Sequence, residues 1–220
     1  MSVEWTQESA PKRIPVDKLD ARYLAIVRHL IASNQFASED SSRVLGVTSS
    51  LDGEGTSTVA TNIALTMAGL NAGPVLLVDA NDAKPSLHKL FGMSVELGLQ
   101  NALSGERSPL ECVTSSPLER LSLVLNGKLE RGKVAIYSTS SIDELLDEWK
   151  DTFKWIVFDL PPPRDTNVSA LLASRLDGVL LVVEADRVDR NIAERTCSRL
   201  RQANVNLLGS VYNKSKHVSA

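Results

Sequence analysis

The chain has 220 residues, 24 basic and 27 acidic side chains, a formal net charge of −3, and 43% hydrophobic against 23% charged residues. That balance describes a globular chain long enough to bury a sizeable core, and it supplies no global basic field, so no nucleic-acid partner is expected. Cys112 and Cys197 lie far apart and outside any C-x-x-C spacing, and His29, His88 and His217 are scattered, which excludes a disulfide framework and a zinc site and points to a reducing compartment.

No stretch approaches 18 apolar residues, and the N-terminus lacks the basic-then-apolar form of a signal peptide. A cytoplasmic chain is expected, with any recruitment to the inner face of the membrane made through a partner. Residues 1–15 are polar, carry Pro11 and Pro15, and read as a flexible tail. From residue 16 to 31 the positions Leu19, Tyr23, Val27 and Leu30 recur at helical spacing, and packing on its own sheet is the expected use of that helix.

The run Val44-Leu45-Gly46-Val47-Thr48 then reads as a buried strand, and 49–55 as a glycine-bearing loop. A helix is expected to open at Thr56, with Val59, Ile63, Met67 and Leu70 on one face. Gly73-Pro74 leads into a second buried strand, 75–79. Short helices are expected near 86–91 and 98–103, and a third strand at 121–125.

Ser141-Ile142-Asp143-Glu144 has the form of a capping box, opening a helix that turns Leu145, Leu146, Trp149 and Phe153 inward. Residues 155–159 form a strand ending in Asp159 and stopped by Pro161, Pro162 and Pro163. Helix 166–175, strand 178–183, helix 188–203 and strand 205–212 finish the chain. Arg190, Arg195, Arg199 and Arg201 on the last helix read as a solvated face, and Trp149 and Trp155 as core aromatics. Continuously apolar strands alternating with helices mean an α/β fold, a mostly parallel sheet with helices on both faces. Ligands of such sheets bind at the C-terminal strand ends, where this sequence places Ser49–Gly55, Asp79 and Asp159.

A phosphate loop needs glycines that let backbone N–H groups face an anion, a helix N-terminus behind them, a lysine for the outer phosphates and a hydroxyl for Mg²⁺. Ser50-Leu51-Asp52-Gly53-Glu54-Gly55-Thr56-Ser57 supplies all of these except the lysine, whose position is held by Thr56. Asp79 and Asp159, each closing a strand, are suited to hold Mg²⁺ directly or through water; the plain alternative for each is a loop or helix cap.

The order of these motifs resembles the cytoplasmic domain of the bacterial tyrosine kinases of capsule and exopolysaccharide synthesis, relatives of the division-site and partitioning P-loop ATPases. The resemblance rests on residues 44–50, 53–64, Leu76-Leu77-Val78-Asp79-Ala80-Asn81, the run Lys84-Pro85-Ser86-Leu87-His88-Lys89-Leu90-Phe91-Gly92, Glu96-Leu97-Gly98-Leu99, Asp159, Pro161-Pro162, 177–183 and 208–214. It implies a single P-loop NTPase-like domain over 16–214, followed by a C-terminal tail at 215–220. It also implies an ATP or ADP site with Mg²⁺. Gly53, Glu54, Gly55, Thr56, Ser57 and Thr58 would cradle phosphates and Asn213 would lie near the base. Ser57, Asp79 and Asp159 would serve the metal, and Asp79 would act as the catalytic acid–base group. The implied partners are a membrane-embedded protein that sets polysaccharide chain length and, since active members phosphorylate a neighbouring subunit, further copies of the chain.

The departures from that pattern share one direction. Thr56 replaces the lysine, Asn81 the second acid, Ala83-Lys84 a double arginine and Leu160 a threonine. No tyrosine follows Asn213, and Tyr23, Tyr137 and Tyr212 are isolated. The sequence reading is therefore a catalytically impaired regulatory or scaffolding member, a pseudokinase. Two alternatives stay open. One is an active tyrosine kinase or ATPase in which Lys84, or a neighbouring chain, replaces the lost charge. The other is a partitioning-type positioning ATPase, although Ser49 and Ser50 stand where such proteins carry an extra lysine.

Overall fold

The structure, a computed structural model, describes residues 19–32, 41–131, 135, 137–163 and 168–215. The expected tail at 1–15, the start of the expected first helix (16–18), the opening of helix 166–175 and all of the tail beyond 215 lie outside the described residues. Seven strands form one sheet in the order β3-β4-β2-β5-β1-β6-β7. They are β1 (Arg43–Ser49), β2 (Val75–Asp79), β3 (Thr114–Ser115), β4 (Leu121–Val124), β5 (Trp155–Asp159), β6 (Gly178–Glu184) and β7 (Leu207–Asn213). Every pair is parallel except β3 with β4. This is the expected P-loop NTPase-like sheet.

The strands are apolar throughout because both faces are covered. Alternation along each strand sorts its side chains between two cores. Leu45 and Val47 of β1, Leu77 of β2 and Val157 of β5 pack with Val59, Ile63 and Met67 of α2 (Thr56–Gly69). Val44, Leu76, Ile156 and Phe158 face the other way and pack with Leu145, Leu146 and Trp149 of α5 (Thr139–Lys150). The helix α1 (Ala21–Ala32) adds Val27 and Leu30 to the first core. It packs on α2, where a Cβ at Gly69 would lie 3.0 Å from Leu19, and Arg43 at the start of β1 donates to its Ile31 carbonyl at 3.1 Å.

The remaining helices are short α3 (Leu87–Leu90) and α4 (Leu99–Leu103), then α6 (Val168–Ser174) and α7 (Arg190–Gln202). The four arginines of α7 are exposed, while Thr196 and Leu200 are buried, as a solvated face requires. Trp149 and Trp155 are both buried core aromatics. Most boundaries move by one or two residues, β7 to 207–213 among them, and the start of α5 moves with its cap. The α5 capping box is Ser138 with Ser141, one turn earlier than Ser141 with Glu144: Ser138 Oγ accepts from the Ser141 N–H at 3.1 Å, and Ser141 Oγ accepts from the Ser138 N–H at 3.1 Å. Ser141 therefore sits inside the helix it was expected to open. Among the described residues no helix is long and apolar enough to cross a membrane.

The site follows from strand order. β1 lies between β5 and β6, and its C-terminal end feeds the glycine loop into α2. β5 and β2 follow on one side, with Asp79 in register with Asp159 on the adjacent strand. β6 and β7 lie on the other side.

Candidate nucleotide site

The loop after β1 is held from beneath by four groups. Glu54 is fully buried, and its carboxylate accepts from the Leu51 N–H within the loop and from the Glu184 N–H at the end of β6 at 2.9 Å. Asn213 Nδ2 donates to the Glu54 carbonyl at 2.8 Å, and Lys214 Nζ donates to the Gly53 carbonyl at 2.8 Å. Arg187 Nη2 donates to the Asp52 carbonyl at 3.0 Å. Three successive carbonyls are thus drawn toward β6 and β7.

Gly53 and Gly55 take φ values of 83° and 92°, left-handed conformations that glycine adopts without strain. Gly55 is also needed for space, because a Cβ there would stand 2.3 Å from Asn213 Nδ2. Beyond it, the first N–H groups of α2 have no intrahelical partner and carry the positive end of the helix dipole. Loop and helix start together present a concave row of donors suited to an anion.

Glu54→Ala is expected to destabilise the fold by about 3 kcal/mol, since it leaves two N–H groups without their charged acceptor. Equilibrium denaturation reads this directly. A loss below about 1 kcal/mol would mean that the clamp contributes little.

The two strand-end acids differ. Asp79 is fully buried, and its carboxylate accepts from the N–H groups of Ser86 and Leu87, each at 3.0 Å, and of Asn81 at 3.3 Å. Burial raises its pKa, and those hydrogen bonds oppose the rise. It caps the start of α3 while facing Asp159. Asp159 is also fully buried, but neither of its oxygens accepts a hydrogen bond. Burial pushes its pKa up to about 7; the nearby Ser57 hydroxyl pulls it down and the Asp79 charge adds to the rise.

A fully buried carboxylate with no hydrogen bond of good geometry, eased only by the Ser57 hydroxyl, suits a cation. Ser57, on the first turn of α2, brings the hydroxyl that a Mg²⁺ site would pair with it. Among the described residues no group of three or more His, Cys, Asp or Glu side chains could hold a metal. This suits Mg²⁺, which keeps several waters and takes one or two carboxylates together with phosphate oxygens.

Above the loop lies a cleft of about 500 Å³ lined by Gly53, Gly55, Ser57, Asn81, Lys84 and Lys214, among others. Thr58 also lines it, as does Thr56, which brings no charge. The Ser86 hydroxyl, on a lining residue, has no hydrogen-bond partner. The cradle and the metal corner fit a Mg²⁺–nucleotide; the cation of the loop does not come from its own helix.

Of the residues singled out in the sequence, Gly53 to Thr58, Asp79, Asp159 and Asn213 converge on one end of the sheet. The Glu54 side chain is turned away, so only its backbone can face a phosphate. Asn213 braces the loop through the Glu54 carbonyl. Glu184, Arg187 and Lys214 were not anticipated. They act from the ends of β6 and β7, and no local spacing marks them.

A strand, glycine loop and helix with buried acids at the two neighbouring strand ends define the phosphate-binding end of a P-loop NTPase domain. Comparison with known proteins carries this further. The family model described as ParA, NUBPL iron-transfer P-loop NTPase, matches residues 40–220. The tyrosine-protein kinase CpsD of Streptococcus agalactiae is 31% identical over 182 residues, covering 82% of this chain and 78% of that protein. The tyrosine-protein kinase YwqD of Bacillus subtilis is 28% identical, covering 83% and 77%.

Among solved structures, the kinase domain of the Escherichia coli tyrosine kinase ETK superposes with a TM-score of 0.74 at 22% identity, over 99% of this chain and 88% of that one. The septum site-determining protein MinD of Pyrococcus horikoshii, complexed with Mg-ADP, gives 0.67 at 19% identity, over 80% and 72%. The chain belongs to the bacterial tyrosine-protein kinase family within the ParA-type P-loop NTPases.

Proposed function

We propose that this chain is a regulatory or scaffolding P-loop subunit of capsule or exopolysaccharide assembly, which binds a Mg²⁺–nucleotide and does not transfer its phosphoryl group. The observation that carries the reading is Thr56. It stands on the first turn of α2, in a loop whose glycines, clamp and metal corner are otherwise in place. The N–H groups of 53–58 would hold phosphates, and Ser57 and Asp159 would hold Mg²⁺. Asn213 would set the base end, and Asp79 would face the reacting end. A bound Mg²⁺ would neutralise phosphate charge at that corner.

What the loop lacks is a lysine donating to the outer phosphates as charge develops. Phosphoryl transfer depends almost wholly on positioning and electrostatics, so this loss falls on turnover more than on binding. Family membership supports a membrane-embedded chain-length protein as partner, recruitment through it to the inner face of the membrane, and assembly with further copies of the chain. One observation favours the alternative of an active kinase: Lys84 reaches the cleft.

Calorimetric titration of the purified chain with Mg²⁺–ATP and Mg²⁺–ADP tests the binding half of this reading. Saturable uptake that disappears when Mg²⁺ is chelated is expected. No uptake of either nucleotide would remove the cleft as a nucleotide site.

A further inference from the structure

The cleft carries a cation that arrives from outside the loop. Lys84 follows β2, and its Nζ lies 2.7 Å from Asp52 Oδ2, in an ion pair between the β2–α3 connection and the phosphate loop. The connection is shaped for this: Asn81 Oδ1 accepts from the Lys84 N–H at 3.1 Å, and Asn81 is itself anchored through its N–H on Asp79. Where a second acid would repel a phosphate, the neutral Asn81 amide instead turns the chain toward the loop.

Lys89 on α3 and Lys214 also line the cleft, and strand order separates Lys84 from Lys214. Lys214 follows β7, beyond β6, and is committed to the Gly53 carbonyl and to Glu184 at 3.1 Å. Lys84 comes from the opposite side, the side of Asp79, Asp159 and Ser57, where the outer phosphates would meet the metal.

We infer that Lys84 is the cation that holds the outermost phosphate of the bound nucleotide in the ground state, released from Asp52 across the mouth of the cleft, which keeps nucleotide binding where the loop lysine needed for transfer is gone. The inference rests on the cleft being a nucleotide site. The Lys84 side chain is 68% exposed and that of Asp52 31%, and exposed pairs of this kind contribute at most about 1 kcal/mol. A terminal phosphate, with more charge than one carboxylate, displaces Asp52 with little cost. Arg187, ion-paired to Glu184 at 2.7 Å and bonded to the Asp52 carbonyl, keeps a positive charge near the carboxylate that Lys84 leaves. The result is a loop that reports the number of phosphates: ATP draws Lys84 off Asp52, and AMP leaves the pair closed.

The test is a titration series with Mg²⁺–ATP, Mg²⁺–ADP and AMP against the full chain and its Lys84→Ala, Lys84→Arg, Asp52→Asn and Thr56→Lys variants. Lys84→Ala is expected to weaken ATP about tenfold or more, ADP less, and AMP by no more than about twofold, without moving Tm. Lys84→Arg should keep the order ATP over ADP over AMP. Asp52→Asn should tighten ATP by freeing Lys84 and removing a nearby negative charge. In the Thr56→Lys background the Lys84→Ala effect on ATP should shrink to about threefold or less, because the loop then carries its own cation.

Unchanged ATP affinity in Lys84→Ala, or an equal loss for all three nucleotides, would overturn the role given to Lys84 while leaving the nucleotide site standing. No uptake by the parent would instead overturn the nucleotide site, and this inference with it.

Discussion

Near pH 8, Asp159→Asn is expected to unfold at a higher temperature than the parent in the absence of Mg²⁺, with a gain of about 2–4 kcal/mol, roughly 5–10 °C. Asp159 is fully buried and neither oxygen has a partner, and its folded-state pKa stands at about 7 against an ordinary 3.8. Between those values the native chain holds a proton that the unfolded chain has released. Stability therefore falls as pH rises from near 4 to near 7, and levels off above.

Asparagine carries no charge to bury and removes that slope, so variant and parent should converge only at or below about pH 4. Mg²⁺ should reverse the ranking near pH 8, raising the Tm of the parent and leaving the variant unmoved. Parallel pH profiles for the two proteins would show that the Asp159 charge is compensated after all.

Thr56→Lys is expected to tighten Mg²⁺–ATP by roughly 10- to 100-fold and Mg²⁺–ADP by less. The position lies on the first turn of α2 and lines the cleft, so a lysine there has the helix N-terminus behind it and the outer phosphates ahead. A charge-assisted hydrogen bond contributes about 1.5–3 kcal/mol, which is the source of the range. Titration of parent and variant side by side decides it. Equal affinities would mean that the parent cleft already has its full complement of charge.

The frame of the phosphate-binding end is legible in the sequence because its signals are local. β1, β2 and β5 are short, continuously apolar runs, each closed by a polar residue. Parallel strands put those ends together, so Ser49, Asp79 and Asp159 could be placed on one edge before any coordinates. The loop followed from Gly53 and Gly55, and the family from Lys84 to Phe91. What escaped notice is non-local. Glu184 meets Glu54 across 130 residues of chain, and Lys214 meets Gly53 across 161. No spacing rule joins them.

The α5 boundary slipped for a different reason. The run Ser138-Thr139-Ser140-Ser141 offers several capping hydroxyls, and both Ser138…Ser141 and Ser141…Glu144 have capping-box spacing. Packing chose the earlier one, which buries Ile142 with Leu145 and Leu146. Asp79 shows both of its readings at once, as a cap for α3 and as a neighbour of the metal corner. The two-residue β3 and the 3₁₀ turn at Leu110–Cys112 are too short to leave a periodic signal.

Binding without transfer is read from turnover. The purified chain, given Mg²⁺–ATP labelled on the terminal phosphate, should release no phosphate above background and place no label on tyrosine. The Asp79→Ala variant should be indistinguishable from the parent in that assay. Sustained turnover by the parent that vanishes in Asp79→Ala would contradict the account and make this chain a working kinase.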